Sequence, residues 1–251
     1  MKTINVYSYD SDAYHKAFAF FLEHTDEKVK TRQSLEHLVA GLPRRRTFVD
    51  AGAGEGGTTS WIAESFEKTI AIEPNSSLRS VLQRNCPGVE ILPNTIVNAP
   101  IEPAWADFVL CAHVFYYIED SQWEAHLEKL ASWLSGNGVL VLAMQHHLSD
   151  CMKLHSHFCG RGFDLTPLTN SWKARHADCY EVHHHVIPIQ ITVKDMQSAI
   201  ILAEFMLNLL PLRNPPSYEA VETYIEKHFS QENGGYRFSS DQVLVQIHRK
   251  S

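Results

Sequence analysis

Residues 47–57 read TFVDAGAGEGG, a short apolar run that closes on an acid and opens into glycines. TTSWIAESFE follows with helical spacing, and KTIAIEP then reads as a second strand. Strand, glycine turn, helix, strand is the alternation of a parallel sheet with crossover helices. Working downstream, the pattern predicts a helix over about 76–85, the short strand VEIL, the strand DFVLCAHV, a helix from Ser121 to Leu134 and the apolar strand GVLVLAMQ. Upstream, Tyr14, Phe18, Phe21 and Leu22, then Leu35, Leu38 and Val39, give residues 12–40 a helical pattern in two pieces. Beyond Gln145 the periodicity weakens, and residues 146–178 read as an irregular excursion. The chain then offers one strand over YEVHHHVIPIQITV, an apolar helix AIILAEFMLNLL, a break at Pro215-Pro216, a helix YEAVETYIEKHF and a last strand QVLVQIH.

Composition narrows the function classes. The chain has 251 residues, with 22 Lys+Arg against 29 Asp+Glu and a net charge of −7 with 15 histidines neutral. That balance argues against a nucleic-acid partner, Arg44-Arg45-Arg46 being only a small basic turn. No apolar run reaches the ~20 residues of a membrane span, and the opening MKTINVYSYDSDAYHK lacks a signal-peptide core. The expectation is a cytoplasmic, soluble, single-domain protein over 1–251, with which a monomer is compatible. Five cysteines (86, 111, 151, 159, 179) lack a secreted disulfide spacing and read as reduced thiols.

The glycine loop sits where a parallel strand meets a helix, so its backbone can turn tightly and approach a ligand. Nineteen residues beyond Gly54, Glu73 ends the second strand, where a carboxylate can accept from two ribose hydroxyls. A nucleoside-type ligand at the carboxyl edge is implied. A dinucleotide loop reads G-x-G-x-x-G, whereas here Asp50 closes the strand and the loop runs D-A-G-A-G-E-G. With IEPNSSL and DFVLCAHVFYYIED behind it, the loop resembles that of class I S-adenosylmethionine-dependent methyltransferases; nicotinamide binding is the alternative. The resemblance implies a Rossmann-like, doubly wound α/β fold with helices on both faces of a mostly parallel seven-stranded sheet, its final strand antiparallel. It implies S-adenosylmethionine as cofactor, held by Asp50, Gly52, Ala53 and Gly54, by Glu73 and Pro74, by Asn94 and Thr95, and by Ala112.

A closer resemblance covers nearly the whole chain in order. The segment from Tyr14 to Glu27, the run Phe115 to Asp120, Lys153-Leu154, YEVHHHV, the Pro-Pro break and GGYRFSSDQVLVQI are similar to the histamine N-methyltransferase family. The family implies substrate contacts from Tyr14, Glu27, Tyr116, Tyr117 and Asp241, an N-terminal helical segment (1–43) covering the site and a substrate-side excursion at 146–178. His113 stands where the family has a glutamine, Cys151 and His155 where it has tryptophans, and Asp241 where it has an asparagine. Two carboxylates, Glu27 and Asp241, then favour a cationic or polyamine-like acceptor. The activity implied is methyl transfer to a nitrogen of a small amine or imidazole compound, the alternatives being O-methylation of a small metabolite and a silent cofactor-binding module.

The residues make chemical sense for an amine acceptor. Displacement at a sulfonium methyl needs a neutral nucleophile held in line, so alignment and desolvation supply most of the rate. Glu27 would fix an N–H or cationic group, the Tyr116 and Tyr117 rings would pack against it, and His113, half charged near pH 6.5 when unperturbed, could accept a proton. The structural alternatives are a helix cap for Glu27, lid packing for the tyrosines and a core position for His113. Cys151, His155, His157 and Cys159 match no common zinc spacing, so no metal is expected, and His183 and His185 share one face of a strand that His184 does not.

Overall fold

Val49, Ile70 and Val109 face one another across three neighbouring strands, each running the same way. Apolar on both faces, such strands are buried from both sides, as parallel sheets are. In a computed structural model, which describes residues 2–7, 11–209 and 212–251, the strands are β1 (Thr47–Ala51), β2 (Lys68–Ile72), β3 (Glu90–Leu92), β4 (Ala106–Ala112), β5 (Leu134–Gln145), β6 (Tyr180–Ile187), β7 (Gln190–Val193), β8 (Tyr236–Ser239) and β9 (Gln242–Arg249). Seven of them form one sheet in the order β3-β2-β1-β4-β5-β9-β6, and β7 pairs with β8 in a second sheet. The pairs β1·β2, β1·β4, β2·β3 and β4·β5 are parallel. The order reverses between β1 and β4, and the carboxyl edge at such a switch point is where open α/β sheets receive ligands.

The chain divides into two compact units. The sheet unit comprises Thr31–Met144, Leu165–His185 and Val243–Ser251. Its core includes Phe48, Phe66 and Phe108, with ring centroids 5.4–6.0 Å apart. The helical unit comprises Met1–Lys30, Gln145–Asp164 and Val186–Gln242. It is built on the apolar helix Met196–Leu207, whose first turn Asp195 caps by accepting from Ser198 N. Ser11 and Ser217 cap the helices Asp12–Glu23 and Tyr218–Phe229 in the same way.

Several expectations are corrected. Residues 146–178 are not irregular, for they hold the helices Asp150–Cys159 and Thr166–Arg175. Ser149 caps the first, Gly160 ends it at φ +67°, and its polar residues face out while Cys151, Met152, Leu154 and His155 are buried. The stretch 180–193 is two strands in two sheets, not one, because Pro188 lies between them without an N–H to donate. The segment after the glycine loop is helical only over Thr59–Ile62, with a tighter turn at Ala63–Ser65. β8 went unrecognised in the sequence.

Candidate functional site

The end of β1 is tied across the end of β2. Gly52 N and Ala53 N both donate to Ile72 O (2.8 and 3.0 Å). Gly52 adopts φ +87°, and a Cβ there would lie 2.3 Å from Val114 Cγ2, so only glycine fits. Gly54 at φ +56° has open space where a Cβ would stand, and its N donates to Glu73 Oε2 at 2.9 Å. Glu73, 6% exposed, accepts from Asn75 N through its other oxygen at 2.8 Å. Two of a carboxylate's roughly four acceptor positions are thus used, which leaves capacity for ribose hydroxyls. Pro74 is exposed, and its carbonyl and that of Glu73 accept from Arg79 Nη1 (2.6 and 3.0 Å).

Asp50, expected at the cofactor, is bonded within the fold. It is buried, its Oδ2 accepts from Thr59 Oγ1 at 2.6 Å, and it thereby fastens the helix start to the strand. Burial raises its carboxyl to about 7, with the Thr59 bond opposing and the charge of Glu73 adding to the rise. Asn94 and Thr95 follow β3, with Asn94 Nδ2 donating to Asn98 O and Thr95 Oγ1 accepting from Asn98 Nδ2. Ala112 ends β4. Since β3, β2, β1 and β4 are consecutive and parallel, all these residues fall on one edge.

Beyond β4, His113 takes φ +58°, an uncommon conformation for a side-chain-bearing residue, while its N donates to Ala143 O at 2.8 Å. Its ring stacks on Tyr116 at 5.9 Å. Burial lowers the imidazole to about 4, so it is neutral at physiological pH. The premise of a half-charged base is thereby corrected: an imidazole this desolvated takes up a proton poorly. The tyrosine pair splits, Tyr116 being 9% and Tyr117 70% exposed.

In the helical unit, Glu27 opens the helix Glu27–Ala40, yet its side chain does not cap it. The carboxylate accepts from the Gln242 side chain, and Oε2 is buried with no hydrogen-bond partner among the described residues. Burial raises it to about 7, with Gln242 and Lys28 lowering and Asp26 raising it in smaller measure. Asp241, expected beside Glu27, instead accepts from Ile189 N at 2.9 Å, and its carbonyl accepts from His146 N. Successive strand residues face opposite ways, so the neighbour Gln242, 1% exposed, takes the place assigned to Asp241. Cys151 is brought to the same cluster: its thiol is raised by burial, bonds the Ser240 side chain and feels the charge of Glu27. Tyr14 packs its ring 5.7 Å from Phe205. His155, 3% exposed, lies with Nδ1 3.1 Å from Arg161 O and its ring 5.8 Å from Phe163, and burial lowers its pKa.

His146 lies against His147 and His183 against His248, with ring centroids 4.7 and 5.5 Å apart. His157 is exposed against Tyr224, His184 Nε2 lies 2.9 Å from Thr169 Oγ1, and all five cysteines are free. Among the described residues, no group of three or more His, Cys, Asp or Glu side chains could hold a metal. Sequence reasoning missed Thr59, Arg79 and Gln242; only Thr59, a hydroxyl at the first turn after the loop, carried a local signal.

The carboxyl edge so built is also recognisable by comparison. Residues 49–142 match the methyltransferase domain family. A methyltransferase of Oceanobacillus iheyensis, itself uncharacterised, is 24% identical over 93 residues, 37% of this chain and 44% of that protein. The chain therefore matches less than half the length of this curated relative. Two solved structures superpose more widely. A SAM-dependent methyltransferase of Thermotoga maritima, described as a possible histamine N-methyltransferase, shares 16% identity with TM-score 0.56, covering 95% of this chain and 94% of its own. A SAM-dependent methyltransferase of Archaeoglobus fulgidus shares 12% with TM-score 0.54, covering 89% and 94%. At these identities the likeness is one of fold, and the fold is Rossmann-like, of the methyltransferase type. Domain match and fold together support S-adenosylmethionine as the cofactor, and the open face of Gly54 and the spare acceptors of Glu73 suit its nucleoside. Among the described residues no helix is long and apolar enough to cross a membrane.

Proposed function

We propose that this chain is a methyltransferase that moves a methyl group from S-adenosylmethionine to a nitrogen of a small, histamine-like amine or imidazole compound. The observation that carries the acceptor class is the Glu27 carboxylate, buried, bonded by Gln242 and with Oε2 left without a partner among the described residues. A buried acceptor of this kind is costly empty and is satisfied by an N–H or ammonium donor. S-adenosylmethionine, when bound, would supply an electrophilic methyl group for the acceptor nitrogen. In the sheet unit, Glu73 and the loop backbone would hold the nucleoside; in the helical unit, Glu27 Oε2 would receive the acceptor's N–H. Burial lowers the His113 imidazole and so weakens it as the base that O-methylation would need. The net charge of −7 disfavours nucleic acid and suits a cationic small molecule, and the proposed setting is the cytoplasm.

The test is turnover with histamine, other imidazole amines, polyamines and hydroxylated metabolites, following S-adenosylhomocysteine and the gain of one methyl group. Methylated amine is expected. Methylation confined to hydroxyl compounds would overturn the reading.

A further inference from the structure

Glu204 lies 4% exposed within the buried helix Met196–Leu207, among residues such as Ala203, Phe205 and Met206. A carboxylate in such surroundings is tolerated only when hydrogen bonds replace its water. Among the described residues, its contacts come from the N-terminal segment 2–7: Oε1 accepts from Asn5 N (3.0 Å) and Asn5 Nδ2 (3.1 Å), and Oε2 accepts from Asn5 Nδ2 (3.0 Å) and the Tyr7 hydroxyl (2.8 Å). Burial first, and then this bond, raises the Tyr7 phenol, which stays a donor. One turn on, Asn208 Oδ1 accepts from Tyr7 N (2.8 Å) and its Nδ2 donates to Asn5 O (2.9 Å). Backbone bonds extend the attachment, from Ile4 N to Pro216 O (3.1 Å) and from Tyr218 N to Lys2 O (2.9 Å).

The residue next to Glu204 holds the next stretch of chain. Phe205 packs against the rings of Tyr14, Phe18 and Phe21 at 5.7, 5.6 and 5.1 Å. Adjacent residues of one helix thus fasten both the segment 2–7 and the helix Asp12–Glu23, which carries Tyr14 and ends four residues before Glu27.

We propose that Glu204 is a positioning residue for the acceptor side of the site: by clamping Asn5 and Tyr7 onto the helix Met196–Leu207, it fixes the helix Asp12–Glu23 and, through it, Tyr14 and Glu27. Its catalytic consequence rests on the amine-methylation reading, whereas the clamp itself is read without activity. Removal of the carboxylate strands three donors, and because Asn5 is exposed these turn to water and the segment opens locally.

Amide hydrogen exchange of the full chain tests this in Glu204→Leu, in Glu204→Gln, which keeps an acceptor oxygen, and in the double variant Asn5→Ala/Tyr7→Phe. The double variant leaves the buried helix intact and stands in if Glu204→Leu does not fold. Amides of residues 12–23 are expected to exchange about tenfold faster in the double variant and in Glu204→Leu, and near the wild-type rate in Glu204→Gln. The acceptor KM should rise about tenfold in the first two, with cofactor affinity unchanged. Wild-type protection of residues 12–23 in the double variant would overturn the clamp. A wild-type enzyme that methylates no amine overturns the amine reading instead, and the exchange result still decides the clamp.

Discussion

Glu27 carries opposed consequences for folding and for binding. An ordinary glutamate titrates near 4.3, and burial raises this one to about 7. Between those values the folded chain keeps a proton that the unfolded chain has released, so the group favours folding at low pH, and that contribution is lost as pH rises through 7. Above it, the folded state holds a buried charge with one oxygen unpaired among the described residues. Glu27→Gln is therefore expected to be about 1–3 kcal/mol more stable than wild type at pH 8 and no more stable at pH 4.5, as read by urea unfolding. Equal stability at pH 8 would show that the carboxylate is solvated. The same substitution should raise acceptor KM roughly 10–100-fold, since a hydrogen bond to a charged group contributes about 1.5–3 kcal/mol. Glu73→Ala should lose cofactor binding and also free the loop, because Gly54 N and Asn75 N lose their acceptor; calorimetric titration showing wild-type affinity would sink that role. Glu73 was legible in sequence because its place at a strand end follows from local pattern alone. Gln242 was not, because whether it or Asp241 faces Glu27 depends on the strand's rotation, which one residue reverses.

Elements were legible where a local signal and the final packing agree. The glycine loop, the helices Ser76–Asn85 and Tyr218–Phe229 and the central strands each carry their own period and boundary residues. The helix Asp150–Cys159 carries both Ser149 and Gly160 as end signals, but the buried His155 interrupts its apolar stripe and hides it. Pro188 was read through because alternation continues on either side of it, although the strands it separates pair in different sheets. The glycine loop offers a test at this scale. Gly56 has φ +82°, and a Cβ there would meet Leu82 Cδ1 at 2.6 Å and Cys86 Sγ at 2.9 Å, whereas one on Gly57 meets nothing within 4 Å. Gly56→Ala must push the loop off the helix Ser76–Asn85, at a cost of about 1–3 kcal/mol and with weakened cofactor binding. Gly57→Ala should stay within about 0.5 kcal/mol of wild type. Thermal unfolding that failed to separate the two would mean that the loop does not rest on that helix.

Contacts between distant parts of the chain left no trace in the sequence pattern. Asn5 and Glu204 are 199 residues apart, and Glu27 meets Gln242 across a similar span, so the assembly of the helical unit from three segments had no local signature. Net charge is legible at this scale, and it has a consequence for kinetics. At −7 the molecule attracts a cationic acceptor over distances comparable to the screening length, about 10 Å at 0.1 M salt and about 3 Å at 1 M. A buried contact such as that of Glu27 is screened far less. For a cationic amine, kcat/KM is therefore expected to fall about 3–10-fold as ionic strength rises from about 0.01 to 0.5 M. A neutral acceptor of the same size, such as an imidazole lacking the amino group, should show little change. The neutral compound also cancels any effect of salt on the cofactor, which both reactions share. Parallel salt curves for the two acceptors would mean that the overall charge plays no part in capture and that selection for a cation resides in the Glu27 cluster alone.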